Sequence, residues 1–402
     1  MKLGLVCACA LVASSAGAAD FPPGDAAKEG IDPAALKELV DAAEKSKSSS
    51  LVVVKNGKLI GEWYFGGAAR PIETMSATKS IVSLAVGRLL DDGKLKSLDQ
   101  PIHELFPEWK QGRKKLITLR HLLNHTSGLQ AQPTTGEEIY PAPDFVKLAL
   151  AAELDGDPGA RFFYNNKAVN LLAGVVAAAA GKPLDEYARE VLFAPLGITD
   201  WKWTRDRAGN PHAMAGLRLR AIDLAKIGVL LADGGTWQGK RVISKSWIDE
   251  STKPGQAYVA RCGLLWWLVF ESMKFVIDDS VIAGWRKAGQ SEEFIAKVMP
   301  MKDRLLARDE FFDALAKIFG GKAGLERWYD QTWRRGLADG KVVPGPIAGF
   351  YADGYLGQYL VVLPKAKLVA VRQLEAHEDN PDAKNYDGLM RFPQLVQALI
   401  KK

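Results

Sequence analysis

Apolar positions change their period several times along the chain, and each change marks an element. In DPAALKELVDAAEKSK (residues 32–47) they fall at helical spacing behind an Asp-Pro start, which predicts a helix. SLVVVKNGKLIGEWYF follows, β-rich on both sides of Asn56-Gly57, the strongest short hairpin signal. From Thr74, the apolar residues Ile81, Val82, Ala85, Val86, Leu89 and Leu90 line one helical face, and Asp91-Asp92-Gly93 stops the run. The stretch to about Gly216 is mostly helical with loops, including ITLRHLLNHTSGL and NKAVNLLAGVVAAAAG. The second is too short and too rich in small residues to span a membrane and reads as a core helix. RAIDLAKIGVLLADGG is a further amphipathic helix with a glycine stop. β character returns in GLLWWLVF and in GYLGQYLVVLPKAKLVAVRQL, where two alternating runs flank residues 364–367. The chain closes in a helical LMRFPQLVQALI interrupted by Pro393.

This order predicts an α/β fold: an antiparallel sheet flanked by helices and completed by both chain ends (20–95 and 216–402), with an all-helical domain, 96–215, inserted between them. Residues 271–343 look helical and aromatic (Trp285, Phe311, Phe312, Phe319, Trp328, Tyr329, Trp333). They form either a surface insertion with its own small core or a cap over a substrate pocket; a segment this long without a role is uncommon.

The first 19 residues change the picture of location. Lys2, the apolar LGLVCACALVASSAGA and the small-x-small Ala16-Gly17-Ala18 fit an export signal. Its apolar run is too short for a bilayer span. The mature chain is expected near Ala19 or Asp20, periplasmic or secreted, with no integral membrane span. Cys7 and Cys9 leave with the signal, lipidation at Cys9 staying open, and Cys262 remains alone as a buried thiol with no disulfide partner.

At 402 residues, 48% hydrophobic and 25% charged, the chain has mass for two to three domains and a real core. The net charge is +6, or +5 once Lys2 is removed. The basic clusters Arg113-Lys114-Lys115 and Arg334-Arg335 are short and lie among acids, which fits a solvated face and argues against nucleic acid as a partner. No phosphate loop, dinucleotide fingerprint or H-E-x-x-H metal spacing occurs, so no cofactor and no metal are expected. No G-x-S-x-G occurs either; Gly289-Gln290-Ser291-Glu292-Glu293 lacks the closing glycine.

Ser76 lies at a helix start with Lys79 three residues on, on the same face. A buried lysine there could take the serine proton, and the helix N-terminus would aim N–H groups at an oxyanion. On the pair alone, an N-cap serine with a surface lysine is the better reading. Tyr164-Asn165-Asn166, just before another helix, offers a phenol for proton transfer and an amide for a substrate carbonyl.

Together the two motifs resemble the serine β-lactamase and penicillin-binding-protein superfamily, in particular its class C β-lactamase-like branch. MSATKSIVSLAVGRLLDDGKLKSLDQPIHELFPEW, ITLRHLLNHTSGL, YNNKAVNLLAGVV, LRLRAIDLAKIGVLLADGG and GLLWWL read like this family in its order. The resemblance covers nearly the whole mature chain apart from 271–343. It implies a β-lactamase/transpeptidase-like fold with Ser76 as acyl-accepting nucleophile. Lys79 is then its base or proton shuttle, Tyr164 a second proton-transfer group and Asn166 a substrate-amide contact. The Ser76 N–H supplies half the oxyanion hole, and NHTSGL is a structural turn in this family, which makes hydrogen-bonded histidines, not metal ligands, of His121 and His125. The family's third motif, Lys-Thr-Gly or His-x-Gly, matches best at Tyr355-Leu356-Gly357, with the N–H of Gln358 as second oxyanion donor. Tyr355 stands where the family has a cation that binds a substrate carboxylate. That departure points to a small-molecule ester, amide or peptide without such a carboxylate. A β-lactamase or D-Ala-D-Ala carboxypeptidase, and an inactive cell-envelope binding protein, are the alternatives; the oligomeric state stays open.

Overall fold

The structure, a computed structural model, describes residues 20–132, 134–332, 337–375 and 388–401. The expected export signal with Cys7 and Cys9, Trp333, Arg334-Arg335 and His377 lie outside the described residues.

The expected first helix forms as α1 (Pro33–Lys45), its N-terminus capped by the Asp32 carboxylate, which accepts from the N–H groups of Ala34 and Ala35. Strands β1 (Ser50–Lys55) and β2 (Lys58–Tyr64) form the hairpin, with Asn56 and Gly57 both left-handed (φ 52° and 71°) as the tight turn requires. α2 (Thr78–Asp91), α3 (Asn166–Ala180) and α4 (Ala221–Ala232) follow. The late strands are β3 (Trp267–Phe270), β4 (Ile347–Gly354), β5 (Gln358–Leu363) and β6 (Leu368–Gln373), and α5 (Phe392–Ala398) ends the chain.

Both chain ends build one antiparallel sheet of order β2-β1-β6-β5-β4-β3. Successive residues of β1 supply opposite cores. Leu51 and Val53 join α1 and α5 through Leu39, Phe392 and Val396. Val52 and Val54 face the other side, with Ile81 of α2 and Leu224 of α4. Because both faces are covered, the strand reads as the unbroken LVVV, each fully buried side chain contributing about 1.5–3 kcal/mol. The second core continues through Leu119, Leu122, Leu171 and Val175, so the 96–215 segment and the sheet share one apolar interior.

Four expectations need correction. The 96–215 segment is not all-helical: Trp201–Trp203 is a strand, pairing with Leu217–Leu219, which also pairs with Ile72–Glu73. Only the second half of GLLWWLVF is a strand, because Leu265 is left-handed (φ 64°) and breaks the run. Pro393 opens α5 instead of interrupting it; in the first turn its missing N–H costs no helical bond. The insertion is not purely helical: Met273–Val276 pairs with Leu306–Ala307 and Lys341–Pro344 in a small sheet beside its helices. It has its own core, built around Trp285, Phe294, Phe311 and Trp328. No described helix is long and apolar enough to cross a membrane.

Candidate active site

Ser76 sits in a short 3-10 turn, Met75–Ala77, that runs directly into α2. The turn is pinned from behind. The Thr74 N–H and hydroxyl both donate to the Leu217 carbonyl (2.8 and 3.0 Å), and the Ala77 N–H donates to the Thr74 carbonyl. Met75, the residue before the serine, is held left-handed (φ 48°), a conformation that costs a non-glycine residue on the order of 1–3 kcal/mol. His125 and Leu265, both facing the same cavity, are also left-handed (φ 59° and 64°).

One turn into α2, the Lys79 ammonium reaches back to the Ser76 Oγ at 2.9 Å and donates to the Met214 carbonyl at 2.7 Å. Lys79 is 3% exposed. Burial pushes its pKa below the usual lysine value, and the nearby Tyr164 and Asp353 partly oppose that shift. The Met214 carbonyl is positioned in turn, because the Met214 N–H donates to the Asn170 Oδ1 (3.0 Å) on α3. The surface-lysine reading is therefore excluded.

Tyr164 stands just before α3, which Asn165 caps by accepting from the Ala168 N–H. Its ring stacks on His125 (4.6 Å between centroids) and faces Trp267 (6.5 Å), with the Lys79 Nζ 5.1 Å from its own centroid. His125 Nδ1 accepts from the Asn165 N–H (3.2 Å), so the turn histidine supports Tyr164. Burial, helped by the Lys79 charge, pushes the His125 pKa down to about 3, which keeps the ring neutral. His121 accepts from the Thr118 N–H, closing its own helix turn. Asn166 opens α3, and its Oδ1 is buried with no hydrogen-bond partner among the described residues. It lines a hollow of about 200 Å³ together with Tyr164, Phe163, Ile139 and Lys167.

The strand-borne part of the site is corrected. Tyr355-Leu356-Gly357 is the turn between β4 and β5, not a strand segment, and Tyr355 is 56% exposed. Gln358 is buried, and its side-chain amide bonds both the carbonyl and the N–H of Leu374, which ties β5 to the segment after β6. Neither residue lines the cavity at Ser76. The strand residues that reach the serine are the last two of β4. Gly354 packs so closely on the serine turn that a side chain there would collide with the Thr74 carbonyl and lie 3.1 Å from the Ala77 nitrogen. Asp353 faces into the cavity with Ser76, Lys79, Tyr164 and Trp267. Burial raises the Asp353 pKa to about 6. Beneath the turn, the fully buried Arg372 donates to the carbonyls of Leu356 (2.9 Å) and Gly357 (2.8 Å) and fixes it against the sheet.

Sequence reasoning missed Asn170, Arg372 and Asp353. The legible signal was polarity inside apolar runs: an asparagine within VNLLAGVV, an arginine within LVAVRQL and an acid within IAGFYADG. Cys262 forms part of the cavity wall as a buried thiol, its pKa pushed up to about 12 by burial. Among the described residues, no cluster of three or more histidine, cysteine or carboxylate side chains could hold a metal.

The family profile Beta-lactamase matches residues 36–392. The chain belongs to the β-lactamase family. Among curated relatives of this β-lactamase-family chain, the 6-aminohexanoate-dimer hydrolase of Paenarthrobacter ureafaciens is 27% identical over 53% of this chain and 59% of its own. The D-alanyl-D-alanine-carboxypeptidase/endopeptidase AmpH of Escherichia coli is 31% identical over 39% and 45%. The chain thus spans about half the length of the curated relatives it matches. A solved family VIII carboxylesterase shares the fold at a TM-score of 0.59 and 17% identity, over 92% of this chain and 98% of that one.

Proposed function

We propose that the protein is a class C β-lactamase-like serine hydrolase, exported from the cytoplasm, that cleaves carboxylic esters or amides through an acyl-enzyme on Ser76. The observation that carries this reading is the 2.9 Å contact between Ser76 Oγ and a buried Lys79 whose proton is loosened by burial. Neutral Lys79 takes the serine proton as Oγ attacks the substrate carbonyl, while the Met214 carbonyl keeps the amine aimed. Tyr164, beside Lys79 and open to the cleft, relays a proton to the leaving oxygen or nitrogen. Water then enters and cleaves the acyl-enzyme with the same groups in reverse. The oxyanion donors are the N–H of Ser76 and the N–H that follows Gly354, since Gly354 is the strand residue packed on the serine turn. Asn166, with its unpaired acceptor, receives a substrate N–H, and the hollow beyond Tyr164 holds the larger substituent.

Support for an ester or amide over a penicillin or a D-Ala-D-Ala peptide comes from the cavity itself. Among the described residues that line it, the one lysine or arginine is Lys79, which is engaged by Ser76 and Met214, and the strand contributes an acid where a carboxylate-bearing substrate would need a cation. The test is the intact mass of the mature protein after brief exposure to an aryl ester and, separately, to a penicillin. An acyl increment from the ester, absent in Ser76→Ala, is expected. Stable acylation by the penicillin alone would favour the carboxypeptidase reading, and no increment from either a binding protein.

A further inference from the structure

Asp353 is the feature of the cavity that acyl transfer itself does not use. It projects from the last turn-proximal residues of β4, next to the glycine that touches the serine turn, into the space shared by Ser76, Lys79 and Tyr164. No arginine, lysine or histidine among the described residues forms an ion pair with it. The charges that act on it do so through space: Arg261, whose guanidinium sits 5.4 Å over the Trp267 ring, and Lys79, already bound to Ser76 and Met214. Its carboxylate has the backbone of Gly354 as a hydrogen-bond partner, but among the described residues no cation in contact, and a largely buried carboxylate left so is costly, which marks it as a functional-site group.

The geometry points to Asp353 as the residue that sets which substrate charge the site accepts: it binds an ammonium or N–H group carried close to the scissile carbonyl and repels a carboxylate in that place. The substrate class is then an ester or amide of a short amino acid, or one uncharged at that position. This deepens the acyl-transfer reading above and rests on it. The cavity is narrow, about 10 Å³, space for roughly one water-sized group beside the serine. Only a short chain therefore joins the carbonyl held at Ser76 to the group met by Asp353, and bulk beyond it goes past Tyr164.

Three near-isosteric esters test this: benzyl β-alaninate, benzyl butanoate and monobenzyl succinate, carrying a positive, neutral or negative end at the same position. In each, the bond from Ser76 Oγ to the acyl carbon forms as the bond to benzyl alcohol breaks, and the alcohol leaves with the relayed proton, so released benzyl alcohol reads turnover. The wild-type protein is expected to prefer the β-alaninate and to turn over the succinate least by kcat/KM. In Asp353→Asn the ratio between those two should fall at least about tenfold, the scale of one close charge interaction in a partly buried site. Asp353→Ser serves as the second variant, should the Asn form fail to fold. A uniform change across the three esters, or a wild-type preference for the succinate, overturns the proposal. Binding of the same esters to Ser76→Ala and to Ser76→Ala/Asp353→Asn, measured by calorimetry, separates the two readings. If no ester is cleaved, yet Ser76→Ala binds them in the charge order and the double variant loses that order, acyl transfer fails and the charge assignment stands. If binding shows no charge order, or none of the esters binds, the assignment falls.

Discussion

Ser76 and Lys79 are ordinary residues made unusual by their surroundings. Burial leaves Lys79 two acceptors, Ser76 Oγ and the Met214 carbonyl, and lowers the pH at which it becomes neutral. The kcat/KM profile should therefore rise to a plateau whose midpoint lies below the ordinary lysine value of 10.5. A midpoint at or above that value would remove Lys79 from the base role. Two of the other perturbed groups at the cavity, His125 and Asp353, act on stability with opposite signs. His125 titrates near 3 when folded and near 6.5 when free, so the unfolded chain binds more protons between those values. Its contribution is fully present above about pH 6.5 and is lost as pH falls toward 3, by several kcal/mol at most. Asp353 titrates near 6 when folded against 3.8 when free, so here the folded chain binds more protons. Its contribution is present below about pH 4 and is lost as pH rises through 6. Asp353→Asn should match the wild type in denaturant unfolding at pH 4 and exceed it by about 1–2 kcal/mol at pH 8. A variant less stable at pH 8 would mean that the carboxylate is paired after all.

At the scale of elements, close approaches decide where the site residues stand. Helix α4 rests on β5 and β6 because Gly228 carries no side chain; a Cβ there would collide with Val369 and lie 2.8 Å from Leu360 Cδ1. Gly228→Ala should destabilise the protein by about 1–3 kcal/mol in equilibrium unfolding, since the sheet must move or the valine must leave its rotamer. The turn after β4 depends on Arg372 of β6, whose buried side chain binds the Leu356 and Gly357 carbonyls together with Ser48 Oγ (2.7 Å). Arg372→Met leaves those acceptors buried without donors, at a cost of about 3 kcal/mol or more. Because the same turn carries the proposed oxyanion donor, kcat should fall in the fraction that stays folded, with KM changed less. Unaltered kcat would detach the turn from the chemistry.

At the scale of the molecule, the insertion is the separable part. The chain leaves the sheet at β3 and returns at β4, with the Glu271 N–H bonded to the Pro346 carbonyl and the Gly345 N–H to the Ser272 carbonyl. Exit and return are thus already side by side, and the insertion's aromatic core is its own. None of its described residues lines the Ser76 cavity, which favours the self-contained insertion over a cap. Replacing residues 273–344 by a two-residue turn should leave a folded protein with the remaining sheet intact. Its main thermal transition should shift by only a few degrees, and ester turnover should persist. Loss of turnover with the fold retained would restore the cap reading.

The sequence by itself determined the periodic elements. α1, the Asn56-Gly57 hairpin, α2, α3, α4 and the paired late strands are legible because each rests on local pattern and on caps that its own residues supply. It determined the order in which both chain ends complete a sheet, and it placed Ser76, Lys79 and Tyr164 at helix starts. What only the tertiary structure decided is which side chains meet. The spacing of Ser76 and Lys79 cannot say that the lysine is buried, since that depends on Met214 and Asn170, more than 80 residues away along the chain. The letters of the third motif point to the turn at Tyr355–Gly357. The fold instead brings Asp353 and Gly354 to the serine, because the tight packing that one strand end allows is a property of two backbones and appears in neither sequence alone.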